Sequence, residues 1–170
     1  MEVDIKNIKD IKSNFKKLVS LAQDSGYYSD VNFFSKDETR INLDKTNTQI
    51  GKDSDEGVKI RVWDGEKYLE YAQSSCNYDS LKKKMEELIV QAKKNKSGNK
   101  ENKELLVSKE KLEKDYKSEV KKSSENMSLE EKCKKLDGFK NKILDISEEI
   151  VNARVVLIEE IEKNIFVNPY

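Results

Sequence analysis

The sequence predicts an α+β fold in two small subdomains, each a helix packed on a largely antiparallel sheet, and three observations carry that prediction. Apolar residues first recur every three or four positions and then, after Gly26, every second position, the change of period that separates a helix from strands. An Asp64-Gly65 step sits between two alternating runs, a short-range hairpin signal. A helical stripe followed by paired strands then occurs a second time, with no residue-level identity between the two occurrences.

The first helix carries Ile8, Ile11, Phe15, Leu18, Val19 and Ala22 on one face, with Ile5 placed to extend the stripe by a turn. Lys9, Lys12, Lys16 and Lys17 lie off the stripe, and Gly26 supplies a stop. Val31 and Phe33 then share one side of a strand, Ile41 and Leu43 one side of the next stretch, and Val58, Ile60 and Val62 one side of another. The Asp64-Gly65 hairpin joins Val58–Trp63 to Lys67–Gln73. Asp79 reads as the N-cap of a second helix striped by Leu81, Met85, Leu88, Ile89 and Ala92. These elements make an N-terminal α+β domain over residues 1–93.

From Lys93 to Glu104 there is no apolar residue, so 94–104 is expected to be a mobile, lysine-rich linker, because such a stretch buries too little to offset its ordering entropy. Residues 105–170 then read as the start of a second α+β subdomain, truncated at its end. Within it, Leu105–Met127 fits either a frayed helix or an irregular crossover. Ser128-Leu129-Glu130-Glu131 has the spacing of a capping box, opening a helix striped by Leu129, Cys133, Leu136, Phe139, Ile143 and Ile146, which should bury Cys133. Val155–Ile158 and Ile165–Val167 read as one bent strand or two paired ones. An apolar strand that runs into Asn168-Pro169-Tyr170 with nothing to cover its second face should associate, with itself or a partner.

Composition narrows the function. The 170 residues carry 33 basic and 33 acidic side chains, so no net field favours nucleic acid or a membrane surface as a partner. No apolar run reaches membrane-spanning length and Met1-Glu2-Val3-Asp4 lacks the start of a signal peptide, which points to a cytoplasmic location. The chain has no histidine, so imidazole-based triads and HExxH helices are excluded within it. Cys76 and Cys133 are far apart and read as two reduced thiols.

Candidate binding groups each have a plainer reading beside them. Lys82-Lys83-Lys84 is followed at once by Glu86 and Glu87, as on a solvated helix face. Tyr27-Tyr28, Phe33-Phe34, Trp63, Tyr68 and Tyr71 could offer a stacking surface, but alternation divides them between core and partner contact. Glu159, Glu160 and Glu162 read as surface charge, since 159 and 160 face opposite ways in a strand. No GxxxxGK[ST], GxGxxG or GxSxG motif occurs, so no catalytic or metal-ligating residue is named and substrate-binding residues stay unassigned.

The run Phe15–Lys93 resembles the N-terminal domain of TldD/PmbA proteins, also called modulators of DNA gyrase. The residues that carry the resemblance are Ser29-Asp30-Val31, Gly57-x-x-x-Arg61, the Asp64-Gly65 hairpin and the exit Ala72-Gln73-Ser74-Ser75. The second half resembles the following segment of that family more weakly, and Glu70 replaces a glycine usual after the hairpin. The resemblance implies the N-terminal portion of a zinc metallopeptidase subunit that works with a paralogous subunit on unfolded peptides. In that family the metal motif, HExxxH with a later cysteine, lies in the C-terminal region. Nothing here matches it, and neither Cys76 nor Cys133 carries over as that cysteine. This portion would enclose substrate and contact the partner subunit, with zinc expected elsewhere in a full-length subunit. The alternative is a non-catalytic peptide-binding or structural α+β module.

Overall fold

The computed structural model describes residues 5–96, 114–119 and 126–170. The elements are α1 (Ile5–Asp24), β1 (Ser29–Leu43), β2 (Thr48–Trp63), β3 (Tyr68–Gln73), α2 (Tyr78–Lys96), α3 (Leu129–Leu144) and β4 (Val155–Val167). The strands form an antiparallel sheet in the order β3-β2-β1-β4, so the α+β class holds. Two compact units result, one drawn from Met1–Ser35, Asp55–Glu113 and Lys163–Tyr170, the other from Lys36–Ser54 and Lys114–Glu162. They interleave along the chain because β1, β2 and β4 each run through both, whereas sequence pattern places one boundary at 94–104. Most of that linker, and most of Leu105–Met127, lies outside the described residues.

In the first unit the stripe of α1 is buried from Ile11 to Ala22, with Leu18 and Ala22 fully enclosed and Phe15 nearly so, while Ile8 is half-buried. The helix stops because Gly26 takes a φ of 78°, a left-handed conformation that costs glycine little. That bend lets the Tyr27 N–H donate to Ala22 O (2.9 Å) and the Gly26 N–H to Gln23 O (2.9 Å), the paired bonds of a Schellman cap. Leu81, Met85, Leu88, Ile89 and Ala92 of α2 join the same core, against Val31 and Phe33 of β1 and Val58, Ile60 and Val62 of β2. Burying each of the larger side chains contributes roughly 1.5–3 kcal/mol.

The cap of α2 is Asn77, not Asp79: Asn77 Oδ1 accepts from the Ser80 N–H at 2.9 Å and its carbonyl accepts from Leu81. Asp79 sits inside the first turn, where a carboxylate favours the helix dipole without capping it. The helix also runs three residues past Lys93, and Asn95 Nδ2 donates to Asp64 Oδ2 at 2.7 Å.

The expected strand with Val31 and Phe33 and the next stretch with Ile41 and Leu43 are one 15-residue strand, β1. Likewise β2 begins at Thr48, ten positions before Val58. β4 is a single strand rather than two paired ones. Alternation marks only the half-buried parts, and Thr48–Glu56 is exposed throughout, so its pattern is silent.

In the second unit α3 opens on the expected capping box: the Glu131 N–H donates to Ser128 Oγ (3.2 Å) and the Ser128 N–H to Glu131 Oε2 (2.7 Å). Its stripe is buried far less than expected. Leu136 packs with Ile41 and Leu43, and Cys133, Val155 and Leu157 lie partly buried against them. Leu129, Phe139 and Ile143 remain exposed, Cys133 is only half-buried, and Ile146 lies past the C-cap at Asp145. The reason is that this core, among the described residues, has one helix where the first has two, so only the centre line of the stripe meets a partner.

Candidate functional site

Across the sheet from its helices, the first unit presents a second face, and the sequence builds a charged and aromatic cluster there. Val58, Ile60 and Val62 are buried on the helix side, so Arg61 and Trp63 must project from the other. Arg61 Nε donates to Asp30 Oδ1 at 2.7 Å and Nη2 donates to Oδ2 at 2.8 Å, a bidentate fork. Asp30 is 1% exposed, while the Arg61 side chain keeps 31% of its surface. The hydrogen bond to Asp30 and its charge hold the guanidinium pKa above its ordinary value.

Aromatic rings surround this pair. The guanidinium lies over the Tyr68 ring at 4.5 Å, a cation–π contact. Trp63 and Tyr68 are cross-strand partners with ring centroids 5.1 Å apart. Tyr28 packs edge-on to Tyr68 at 6.4 Å and stacks with Tyr170 at 6.2 Å. Burial and the Asp30 charge push the Tyr28 hydroxyl up to about 12, against a hydrogen bond with Asn168. Glu70 stands opposite Arg61 in the β2–β3 register, its Oε1 4.0 Å from Nη1. Glu70 therefore adds a second carboxylate to the cluster.

Gly57 explains its own presence. A Cβ there would fall 2.7 Å from Phe34 Cε1 and 3.3 Å from the Gln73 carbonyl, so only glycine lets the Phe34 ring lie across the strand. Both halves of the Gly57-x-x-x-Arg61 pattern thus have a geometric reason, and Ser29-Asp30-Val31 supplies the carboxylate the arginine needs.

The sheet splits the other aromatic candidates. Tyr28, Phe34, Trp63 and Tyr68 sit on the cluster's face, whereas Phe33 is buried in the helix-side core and Tyr27 and Tyr71 pack against it. Lys84 pairs with Glu87 at 2.7 Å and lies over the Tyr71 ring, while Lys82 and Lys83 are exposed. In the second unit Glu159 pairs with Lys132 at 2.7 Å and Glu160 with Lys36 at 2.8 Å, on opposite sides of β4. Sequence reasoning singled out Asp30 and Arg61 without joining them, and missed Asn168 and Tyr170. Strand pairing could have joined the first two; nothing local marks the last two.

The groups of this cluster are engaged with one another. The carboxylate of Asp30 is committed to Arg61, and burial, with the Glu56 charge, pushes the Cys76 thiol up to about 11, far from a thiolate at neutral pH. Among the described residues no three of His, Cys, Asp and Glu come together to hold a metal ion, and Cys76 and Cys133 belong to different units. The donor set of the described residues does not fit zinc. Among those residues, too, no helix is long and apolar enough to cross a membrane.

No protein-family model and no curated protein matches the chain. Solved structures do. A protein of Thermotoga maritima described as a putative modulator of a DNA gyrase superposes with a TM-score of 0.68 at 19% identity, over 95% of this chain and 35% of its own. One of Bacteroides thetaiotaomicron with the same description gives 0.62 at 13%, over 98% and 37%. TldE from Thermococcus kodakarensis gives 0.56 at 14%, over 91% and 36%. The resemblance to TldD/PmbA proteins read from the sequence holds in the fold, and the chain spans about a third of the length of these proteins.

Proposed function

We propose that this chain is the substrate-enclosing, partner-contacting portion of a TldD/PmbA-type peptidase subunit that acts on unfolded peptides, without the catalytic zinc region. The observation that carries the proposal is the fold shared over 95% of the chain with a protein described as a putative modulator of a DNA gyrase. The Asp30–Arg61 fork and the Gly57–Phe34 contact support it, because the residues of the sequence resemblance meet one another in space. In this reading zinc and hydrolysis belong to other parts of a full-length subunit, and this portion contributes a rigid sheet whose open face and strand edges contact extended chain. The absence of histidine equally suits a non-catalytic peptide-binding or structural module, which is the second reading.

The test mixes the chain with a paralogous subunit that carries HExxxH. The two should co-elute in size-exclusion chromatography, and the rate at which a reduced, carboxymethylated polypeptide is hydrolysed should change. Separate elution with unchanged turnover would discard the peptidase-subunit reading in favour of the stand-alone module.

A further inference from the structure

We draw no further inference here: the strongest candidate, the outward face of β4 at the edge of the sheet, where Val156, Ile158 and Phe166 stand exposed, carries nothing because nothing in the structure shows what covers it.

Discussion

α1 and α3 carry apolar stripes of equal regularity, yet α1 buries five of its residues and α3 buries only Leu136. The difference lies in what each helix meets. Beside α1 stands a second helix, and both pack on β1 and β2, so a residue on the edge of the stripe still finds carbon on one side or the other. In its unit α3 meets Ile41 and Leu43 with no second helix among the described residues, and the edges of its stripe stay in water. Periodicity therefore reports that a helix is amphipathic, and its surroundings decide how much of the apolar face becomes core.

The largest expected effect breaks that comparison directly. Phe15→Ala, at a side chain 1% exposed, should cost about 3–5 kcal/mol of stability through lost transfer energy and a cavity. Phe139→Ala, the same change at 55% exposure, should cost under about 0.5 kcal/mol. Urea denaturation of both variants reads the difference. Equal losses would mean that α3 is covered in solution more deeply than its exposure states.

What was legible in the sequence follows the same logic. The α1 and α2 stripes, the Ser128 capping box and the hairpin at Asp64 could be read because each is settled by a few neighbouring residues. The joining of Val31–Phe33 to Ile41–Leu43 in one strand could not be read, since the residues between them are, but for Ser35, partly or fully exposed and keep no period. Asn77 lost to Asp79 in the reading because both are good caps and only backbone geometry separates them. In the site, Asp30 and Arg61 were each noticed, but their pairing depends on the register of two strands 31 residues apart in sequence. The hairpin at Asp44 went unnoticed for want of a glycine, although its geometry repeats that at Asp64.

The Asp30–Arg61 pair should respond unequally to loss of either partner. Arg61→Met leaves a carboxylate that is 1% exposed without its cation, and an unpaired buried charge costs about 3–5 kcal/mol, reduced here to about 2–4 by relaxation at the half-open arginine position. Asp30→Asn leaves an arginine that keeps 31% of its side-chain surface and can turn to water or to Glu70, so a loss of about 1–2 kcal/mol is expected. Thermal or urea unfolding of the two variants measures the asymmetry. A larger loss for Asp30→Asn would show that the carboxylate has another route to solvation.

Next in size is the glycine beneath Phe34. Gly57→Ala places a methyl 2.7 Å from the ring and should cost about 1–3 kcal/mol as the ring is displaced. Phe34 is itself 38% exposed, so Phe34→Ala should cost little, and the double variant should recover most of the Gly57→Ala loss. A double variant with simply added losses would place the strain at the Gln73 carbonyl, 3.3 Å from the same methyl, rather than at the ring.

The smallest effect compares two turns with one design. Asp44 Oδ1 accepts from the N–H groups of Thr46 (2.9 Å) and Asn47 (2.8 Å), and Asp64 Oδ1 accepts from those of Glu66 (2.9 Å) and Lys67 (2.9 Å). Both carboxyls are held below their ordinary pKa. For Asp44 the backbone bonds from Thr46 and Asn47 lead; for Asp64 burial pushes upward, and the bonds from Lys67, Asn95 and Glu66 outweigh it. A carboxyl whose pKa is lower folded than unfolded adds stability that is present above its unfolded value, near 3.8, and is lost as pH falls through the folded value. Asp64 also receives Asn95 Nδ2 at 2.7 Å and is 5% exposed, so its bonds face less competition from water. Asp64→Asn turns an amide of its own toward one of its donors and should cost about 1 kcal/mol at pH 6, whereas Asp44→Asn, in the exposed turn, should cost less. The gap between wild type and Asp64→Asn should narrow when denaturation is repeated near pH 3, because protonation then removes from the wild type what the substitution removed already. A gap that stayed constant between the two pH values would mean that the turn is held by its shape and not by the charge of Asp64.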